Sequence, residues 1–287
     1  MKIGFIGTGN MGGAILRGYA ASEASKGNAI LIHNRTTEHN EEMAAAVSAA
    51  DSQVKICNDN AELAEQAEII IIGVKPDGVS GVLGEIAAEV ERTAKGTTPE
   101  DKIIVSMAAG VSLSQMEEDL SRAKAGCGAY AKLIRVMPNT PAQVGQAMTS
   151  ISRNKNVSDV DMAKAMEIFN AVGRCVEVKE DLIDCVIGVS GSSTAYTYMY
   201  IQALVEAAVA NGMEEDKARE FAAQSVLGAA MMVQESDESL TLLRDRVCSP
   251  NGTTIEAVNK LLENGFMDDV KEGFQAAVDR SKEMTKK

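Results

Sequence analysis

The chain has 287 residues, 45% of them hydrophobic, which is enough for roughly two domains with buried cores. Its 28 lysines and arginines are outnumbered by 41 aspartates and glutamates, giving a formal net charge of −13. This balance argues against nucleic-acid and anionic-membrane partners, because both require a basic surface. Five scattered cysteines without a Cys-x-x-Cys pair argue against zinc and disulfide frameworks, so we expect no metal site and a cytoplasmic location.

The first half of the chain alternates short apolar strands with helices, which is typical of a parallel sheet covered on both faces. Strands are predicted over residues 2–6, 29–33, 54–57, 68–74, 102–106, 132–136, 147–151 and 174–178. Helices are predicted over residues 10–22, 41–50, 61–66, 79–91, 112–119 and 160–171, with a polar loop over 93–101. The apolar stretches are too short to cross a bilayer.

Strand patterns stop after Lys179, and helices rich in alanine and methionine follow. They are predicted over residues 195–211, 214–234, 240–247, 254–263 and 267–284, with Gly212 as a stop signal. We therefore expect an α/β domain over residues 1–179 and an all-α domain over residues 180–287. The helices have broad apolar faces, which favour a homodimer through this domain; a self-contained bundle is the alternative.

Residues 7–12 read Gly-Thr-Gly-Asn-Met-Gly and connect the first strand to the first helix. Gly7 allows a sharp turn, Gly9 lets a pyrophosphate approach the backbone, and Gly12 lets the helix pack closely on the strand. The helix N-terminus offers N–H groups and a positive dipole end to phosphates. This motif predicts a dinucleotide site in a Rossmann domain; a plain strand–turn–helix is the alternative.

The segment after the second strand indicates which dinucleotide is bound. It reads His-Asn-Arg-Thr at residues 33–36, without the carboxylate that usually binds the ribose 2′-hydroxyl of NAD. Arg35 can make a bidentate contact with a 2′-phosphate, and Asn34 and Thr36 add donors. We predict NADPH, with NADH as a weaker alternative. The other interpretation is that Asn34 and Arg35 only form a solvated turn.

Three more loops follow strands at the same edge of the sheet, where ligands of open α/β sheets bind. They begin at Gly73, Met107 and Met137. The small residues after Met107 permit close approach of a ring. Lys75 in the first loop either faces a phosphate or ribose, or lies on the surface.

A second turn before a helix lies near the end of the chain. A helix is expected to stop at Ser249-Pro250, and Asn251-Gly252 favours a positive φ. Thr253-x-x-Glu256 predicts a capping box at the start of the next helix. The backbone N–H groups of such a turn can also hold a substrate carboxylate, and the two interpretations are compatible.

This second turn resembles the Ser-Pro-Gly-Gly-x-Thr signature of the pyrroline-5-carboxylate reductase family. Further segments resemble the same family, in order and over essentially the whole chain: the Gly-x-Gly-Asn-Met-Gly turn, Val74-Lys75-Pro76, Ala108-Ala109-Gly110-Val111, Met137-Pro138-Asn139-Thr140-Pro141, Glu180-Asp181-Leu182-Ile183-Asp184 and Ser190-Gly191-Ser192. Two departures are Ser193-Thr194, which replaces the family's Gly-Pro, and Asn251, which replaces a glycine.

The resemblance implies hydride transfer from NADPH to the imine carbon of 1-pyrroline-5-carboxylate, giving L-proline in the last step of proline biosynthesis. It places the substrate carboxylate at Ser249, Gly252, Thr253 and Thr254, with Thr254 also near the ring nitrogen as the catalytic residue. It implies homodimers that can assemble into rings, with the active site across a dimer interface where the nicotinamide meets residues 249–254. The cofactor contacts expected from the motifs and the resemblance are Ile6, Gly7, Thr8, Gly9, Asn10, Met11, Gly12, Asn34, Arg35, Thr36, Asn60, Gly73, Val74, Lys75, Pro76, Met107, Ala108, Ala109 and Glu180.

Other functions stay open at this point. A hydroxyacid dehydrogenase of similar build would need a lysine after Gly188-x-x-Gly191, but no lysine occurs between Lys179 and Lys217. A non-catalytic NADPH-binding paralogue and a reductase of a related cyclic imine are the remaining alternatives. The two histidines, His33 and His39, are expected near the adenosine end or on the surface, so neither is expected to donate a proton.

Overall fold

The computed structural model describes residues 1–48, 53–94 and 102–285. The chain divides into two compact units, one of Met1–Gly191 with Val278–Lys287 and one of Ser192–Ala277. The first unit therefore extends beyond the boundary predicted at residues 179 and 180. The strands do end near that point, but the helical turns that follow pack with the sheet, and Ile183 is buried there.

Within the described residues, eight strands form one sheet in the order β3-β2-β1-β4-β5-β6-β7-β8. The strands are β1 Lys2–Ile6, β2 Ala29–His33, β3 Gln53–Ile56, β4 Ile69–Ile72, β5 Ile103–Ser106, β6 Lys132–Met137, β7 Ala147–Arg153 and β8 Gly173–Glu177. β1 to β6 are parallel, β7 is antiparallel to β6, and β8 is parallel to β7. The mostly parallel sheet is confirmed. Successive strands are added to one side of β1 as far as β3 and to its other side from β4 onwards, and sheets of this kind bind ligands in the crevice between two such strands as β1 and β4.

The central strand β4 explains why the sheet is covered on both sides. Its four isoleucines are fully buried. Ile69 and Ile71 belong to one core cluster, whereas Ile70 and Ile72 belong to the other. Successive side chains of a strand point to opposite faces, so a continuous apolar run requires packing on both.

The helices of the first unit follow the predicted order, but several begin earlier. They are α1 Asn10–Ala20, α2 Thr37–Ser48, α3 Asn60–Gln66, α4 Pro76–Ala94, α5 Leu113–Ala123, α6 Asp159–Asn170 and the short α7 Ile183–Val186. Polar first turns hid the true starts of α2 and α4, and α4 begins with a proline, as helices often do. The predicted helix end at 49–50 and most of the predicted loop over 93–101 lie outside the described residues.

The second unit is helical, as predicted. It comprises α8 Ser193–Ala210, α9 Glu215–Glu235, α10 Leu240–Val247, α11 Thr253–Glu263 and the first part of α12 Phe266–Thr285. Gly212 follows α8 with a φ of +91°, which confirms the predicted stop. The Tyr196 hydroxyl donates to the Gly273 carbonyl across 3.2 Å, which joins the first and last helices of the unit.

The surface of the second unit is apolar over wide areas. α8 has no buried residue, and Met199 and Phe221 are 69% and 65% exposed. Among the residues that the structure describes, no helix is both long enough and apolar enough to cross a membrane.

Candidate active site

The turn after β1 packs directly on the end of β4. Gly7 has a φ of +81°, and its N–H donates to the His33 carbonyl across 3.0 Å. A β-carbon on Gly12 would lie 2.5 Å from the Gly7 carbonyl oxygen, and one on Gly73 would lie 2.3 Å from it. No side chain fits in those spaces, so this close approach requires glycine at both positions.

The next glycine is surrounded differently. A β-carbon on Gly9 would meet no atom within 4 Å. Gly9 is also the N-cap of α1 and makes no side-chain capping bond, so the first N–H groups of the helix remain available. An open space in front of an uncapped helix N-terminus fits a pyrophosphate.

The loop after β2 divides into a buried and an exposed part. Arg35 and Thr36 are exposed. Asn34 is buried; its Oδ1 accepts from the Thr8 N–H at 2.6 Å, and its Nδ2 donates to Asn40 Oδ1 at 2.9 Å. The Asn34 amide oxygen and one of its two amide N–H groups are thus used inside the protein, which leaves at most one N–H as the extra donor that the sequence suggested.

Asn60 is the first residue of α3, directly after the loop that follows β3, and its side chain uses only one of its two polar atoms. Its Nδ2 donates to Glu85 Oε2 at 2.6 Å. Its Oδ1 is buried and has no hydrogen-bond partner among the described residues. Such an acceptor fits a hydroxyl group of a bound dinucleotide. Sequence reasoning missed Glu85, because a glutamate on a helix surface is common.

The loops after β4 and β5 border the glycine turn. Gly73 is followed by Val74, whose side chain contacts the Gly7 region, while Lys75 is exposed directly before α4. The Met107 methyl group lies 3.6 Å from where a Gly12 β-carbon would stand. The exposure of Lys75 is compatible with both interpretations of its role.

Glu180 is held by two contacts inside the first unit. Its Oε1 accepts from the Leu113 N–H at 2.8 Å and pairs with Arg135 Nη1 at 3.1 Å. Arg135 is only 3% exposed, and its Nε and Nη2 have no partner among the described residues. Sequence reasoning missed Arg135; the available signal was an arginine between the apolar residues of strand β6.

The turn before α11 has the predicted positive φ, at Asn251 with +60°. The Gly252 N–H donates to the Ser249 carbonyl at 3.0 Å, and a β-carbon on Gly252 would lie 2.3 Å from Ser249 Oγ. The predicted capping box is wrong: Gly252 is the N-cap, and no side chain caps the helix. Thr253 is already the first helical residue, so its hydroxyl lies too far along the helix to cap it.

Residues 180–284 match the family described as pyrroline-5-carboxylate reductase dimerisation, and residues 2–110 match the family described as NADP oxidoreductase coenzyme F420-dependent. Over 287 aligned residues the chain is 40% identical to the pyrroline-5-carboxylate reductase of Escherichia coli (strain K12), covering 99% of this chain and 98% of that protein. The chain belongs to the pyrroline-5-carboxylate reductase family.

Solved members of the pyrroline-5-carboxylate reductase family share the fold along the whole chain. The enzyme from Coxiella burnetii is 30% identical with a TM-score of 0.86, covering 99% of this chain and 98% of that one. A Plasmodium falciparum pyrroline carboxylate reductase with NADP bound is 29% identical with a TM-score of 0.81 and the same coverage. The resemblance found in the sequence and the predicted fold class are both confirmed.

Proposed function

We propose that this protein reduces 1-pyrroline-5-carboxylate to L-proline with NADPH, and accepts NADH more weakly. The observation that carries the proposal is its membership of the reductase family along almost the whole chain, with the open glycine turn and the second turn both intact. The absence of a carboxylate at the end of β2 and the exposed Arg35 support the preference for NADPH.

The bound reduced nicotinamide supplies the hydride, and the protein supplies position and electrostatics. Backbone N–H groups at the start of α1 neutralise the pyrophosphate. The uncapped N-terminus of α11 and the Ser249 and Thr253 hydroxyls hold the substrate carboxylate. A protonated imine is already electrophilic at carbon, so hydride addition gives the amine directly. Thr254 then needs only to orient the ring nitrogen by a hydrogen bond.

The helical half has the role of assembly in this proposal. We assign residues 180–287 to a dimerisation domain and residues 1–179 to cofactor binding. The family match over residues 180–284 and the exposed apolar side chains of α8 and α9 support a homodimer, since such surfaces are unfavourable in water. Association of the dimers into a ring completes the proposal. Size-exclusion chromatography with light scattering tests both levels.

The decisive test is NADPH oxidation by the purified full chain in the presence of 1-pyrroline-5-carboxylate. Turnover is expected, and NADH should give a lower kcat/KM. Thr254→Ala should lower kcat about 100-fold without changing NADPH affinity, a size typical for loss of a group that contacts the reacting atoms. The exposed Thr241 on α10 provides a matched control, because Thr241→Ala should change neither quantity.

Three results would contradict this assignment or a part of it. NADPH binding without turnover would favour the non-catalytic paralogue. Turnover only with a six-membered cyclic imine carboxylate would favour the related reductase. Full activity of Thr254→Ala would remove Thr254 from the site.

A further inference from the structure

The side chain of Asn40, in the first turn of α2, clamps the backbone at the end of β2. Asn40 is 5% exposed. Its Oδ1 accepts from the Asn34 backbone N–H at 2.7 Å, and its Nδ2 donates to the Asn34 carbonyl at 3.1 Å. One amide thus satisfies both backbone groups of the residue directly before Arg35. These two bonds fix the backbone directly before Arg35, and so the position from which the Arg35 side chain extends.

The same clamp reaches the glycine turn through the side chain of Asn34. Asn40 Oδ1 also accepts from Asn34 Nδ2 at 2.9 Å, which fixes the orientation of that amide. Asn34 Oδ1 then accepts from the Thr8 N–H at 2.6 Å and the Thr8 hydroxyl at 3.1 Å. Thr8 is 1% exposed and lies between Gly7 and Gly9. The chain Asn40–Asn34–Thr8 therefore links α2 to the middle of the turn.

His39 adds a second link to the same residue. Its Nε2 lies 2.8 Å from the Thr8 carbonyl oxygen, which can only accept, so Nε2 carries the hydrogen. Its Nδ1 lies 3.4 Å from Glu42 Oε2, within the same helix. The N–H, hydroxyl and carbonyl of Thr8 all have partners inside the protein. Thr8 consequently holds the turn in place and does not donate its N–H to a phosphate.

We propose that Asn40 is a positioning residue that sets Arg35 at a fixed distance from the glycine turn, and so determines the preference for NADPH over NADH. The proposal rests on the cofactor assignment above. The pyrophosphate and the 2′-phosphate belong to one molecule, so the two elements that bind them must be correctly spaced. A bidentate arginine contact is especially sensitive to that spacing. NADH has no 2′-phosphate, so its binding does not depend on where Arg35 stands.

The test measures the affinities of NADPH and NADH for the full chain by nucleotide fluorescence. Asn40→Ala should weaken NADPH binding about tenfold, the effect of losing about 1.4 kcal/mol of favourable interaction, and NADH binding less than about threefold. Arg35→Ala should lower the preference for NADPH further. In the Arg35→Ala background, Asn40→Ala should leave the preference unchanged, because the two residues act through one contact.

Asn28 provides a matched control at the opposite end of β2. Its Oδ1 accepts from the N-terminal ammonium group at 2.7 Å, and its Nδ2 donates to the Tyr19 hydroxyl and the Ala24 carbonyl. Asn28→Ala therefore also removes three hydrogen bonds, and it should lower the melting temperature without altering the ratio of the two affinities. Asn40→Ser, which keeps a shorter hydroxyl, serves if Asn40→Ala does not fold, and a partial loss of preference is expected.

The possible failures are distinguishable. Equal weakening of NADPH and NADH binding by Asn40→Ala or Asn40→Ser would overturn the positioning role and leave only a structural one. An unchanged preference in Arg35→Ala, or no preference for NADPH in the unaltered protein, would instead overturn the cofactor assignment. Additive effects of the two substitutions on the preference would show that Asn40 does not act through Arg35.

Discussion

Asn60 Nδ2 donates to Glu85 Oε2 across 2.6 Å, and this bond decides which way the Asn60 amide faces. With Nδ2 engaged, Oδ1 is left buried and without a partner among the described residues. A buried acceptor without a partner costs about 1–3 kcal/mol. The arrangement is explained if a hydroxyl group of the cofactor satisfies Oδ1 when it binds.

Asn60→Leu should therefore weaken NADPH binding without lowering the stability of the free protein. The NADPH Kd should rise about tenfold because one hydrogen bond is lost. The free protein should not be destabilised, since an unsatisfied group is removed and water can replace the lost bond to the exposed Glu85. Titration and thermal unfolding measure the two quantities. Thr149→Val is the control, because Thr149 Oγ1 is also buried without a partner but its strand is remote from the glycine turn. An unchanged Kd for Asn60→Leu would contradict the interpretation.

Gly9 and Gly12 should respond differently to alanine. A β-carbon on Gly12 meets the Gly7 carbonyl oxygen at 2.5 Å, so Gly12→Ala should destabilise the free protein by about 1–3 kcal/mol and impair NADPH binding. Gly9→Ala meets nothing within 4 Å, so the free protein should keep its melting temperature while NADPH binding weakens at least about tenfold.

Gly84 on α4 gives the control for both glycine substitutions. A β-carbon there also meets nothing within 4 Å, and Gly84→Ala should stabilise the helix by about 0.5–1 kcal/mol without affecting binding. If Gly9→Ala bound NADPH normally, the pyrophosphate would have to lie elsewhere.

Asn251 carries a positive φ, and it stands where the family has a glycine. Asn251→Gly should keep the KM for 1-pyrroline-5-carboxylate within about twofold, because glycine adopts this conformation freely. Asn251→Val should raise that KM about tenfold, since β-branched residues avoid positive φ and the turn must rearrange. The NADPH Kd should stay constant in both. Asn259→Val, on the exposed side of α11, controls for the added valine, and equal KM values for both Asn251 variants would contradict the prediction.

Glu62 should make the loop before α3 sensitive to acid. A hydrogen bond from Lys55, at 2.7 Å, and one from the Asn58 N–H lower the pKa of its carboxyl to about 2 from a usual 4.5. A lowered pKa means that the charged form of Glu62 stabilises the fold. Its contribution to the free energy of unfolding is complete above about pH 4.5 and disappears as the pH falls towards 2.

The corresponding measurement compares the unaltered protein with Glu62→Gln in urea. The unaltered protein should be more stable at pH 7, and the difference in the free energy of unfolding should shrink between pH 4 and pH 3. Glu23→Gln is the control, because the Glu23–Lys26 pair is exposed and contributes little at any pH. A difference that is constant across this range would exclude the ionised Glu62 as its source.

The sequence was most informative where one strong local signal dominates. The bounds of β1 and β2 were predicted correctly, because short apolar runs mark both strands and the glycine turn marks the end of β1. The start of α2 was missed because its first turn is polar. Its Asn40 and His39 are turned inward by Asn34 and Thr8, which lie outside the helix, and the apolar periodicity of the helix does not show this.

The candidate site was likewise only partly predictable. The glycines and Arg35 were identified because their residue types, at these positions after β1 and β2, indicate phosphate binding. Glu85 was missed, since a carboxylate on a helix gains a role only when Asn60 lies beside it. The capping box failed by a single residue, because a side-chain cap depends on which residue has the dihedral angles of the N-cap, and that residue is Gly252.

The placement of the two chain ends has a practical consequence for enzymology. The N-terminal ammonium group bonds to Asn28 Oδ1 at the edge of the sheet opposite the glycine turn. Met284, near the other end, packs against Gly110 in the loop after β5. A β-carbon added to Gly110 would lie 3.3 Å from the β-carbon of Met284. An affinity tag fused after α12 would therefore follow, within a few residues, a side chain that packs on a loop expected to border the nicotinamide. Recombinant protein for cofactor titrations should carry its tag ahead of Met1, where the cost is one partly buried hydrogen bond.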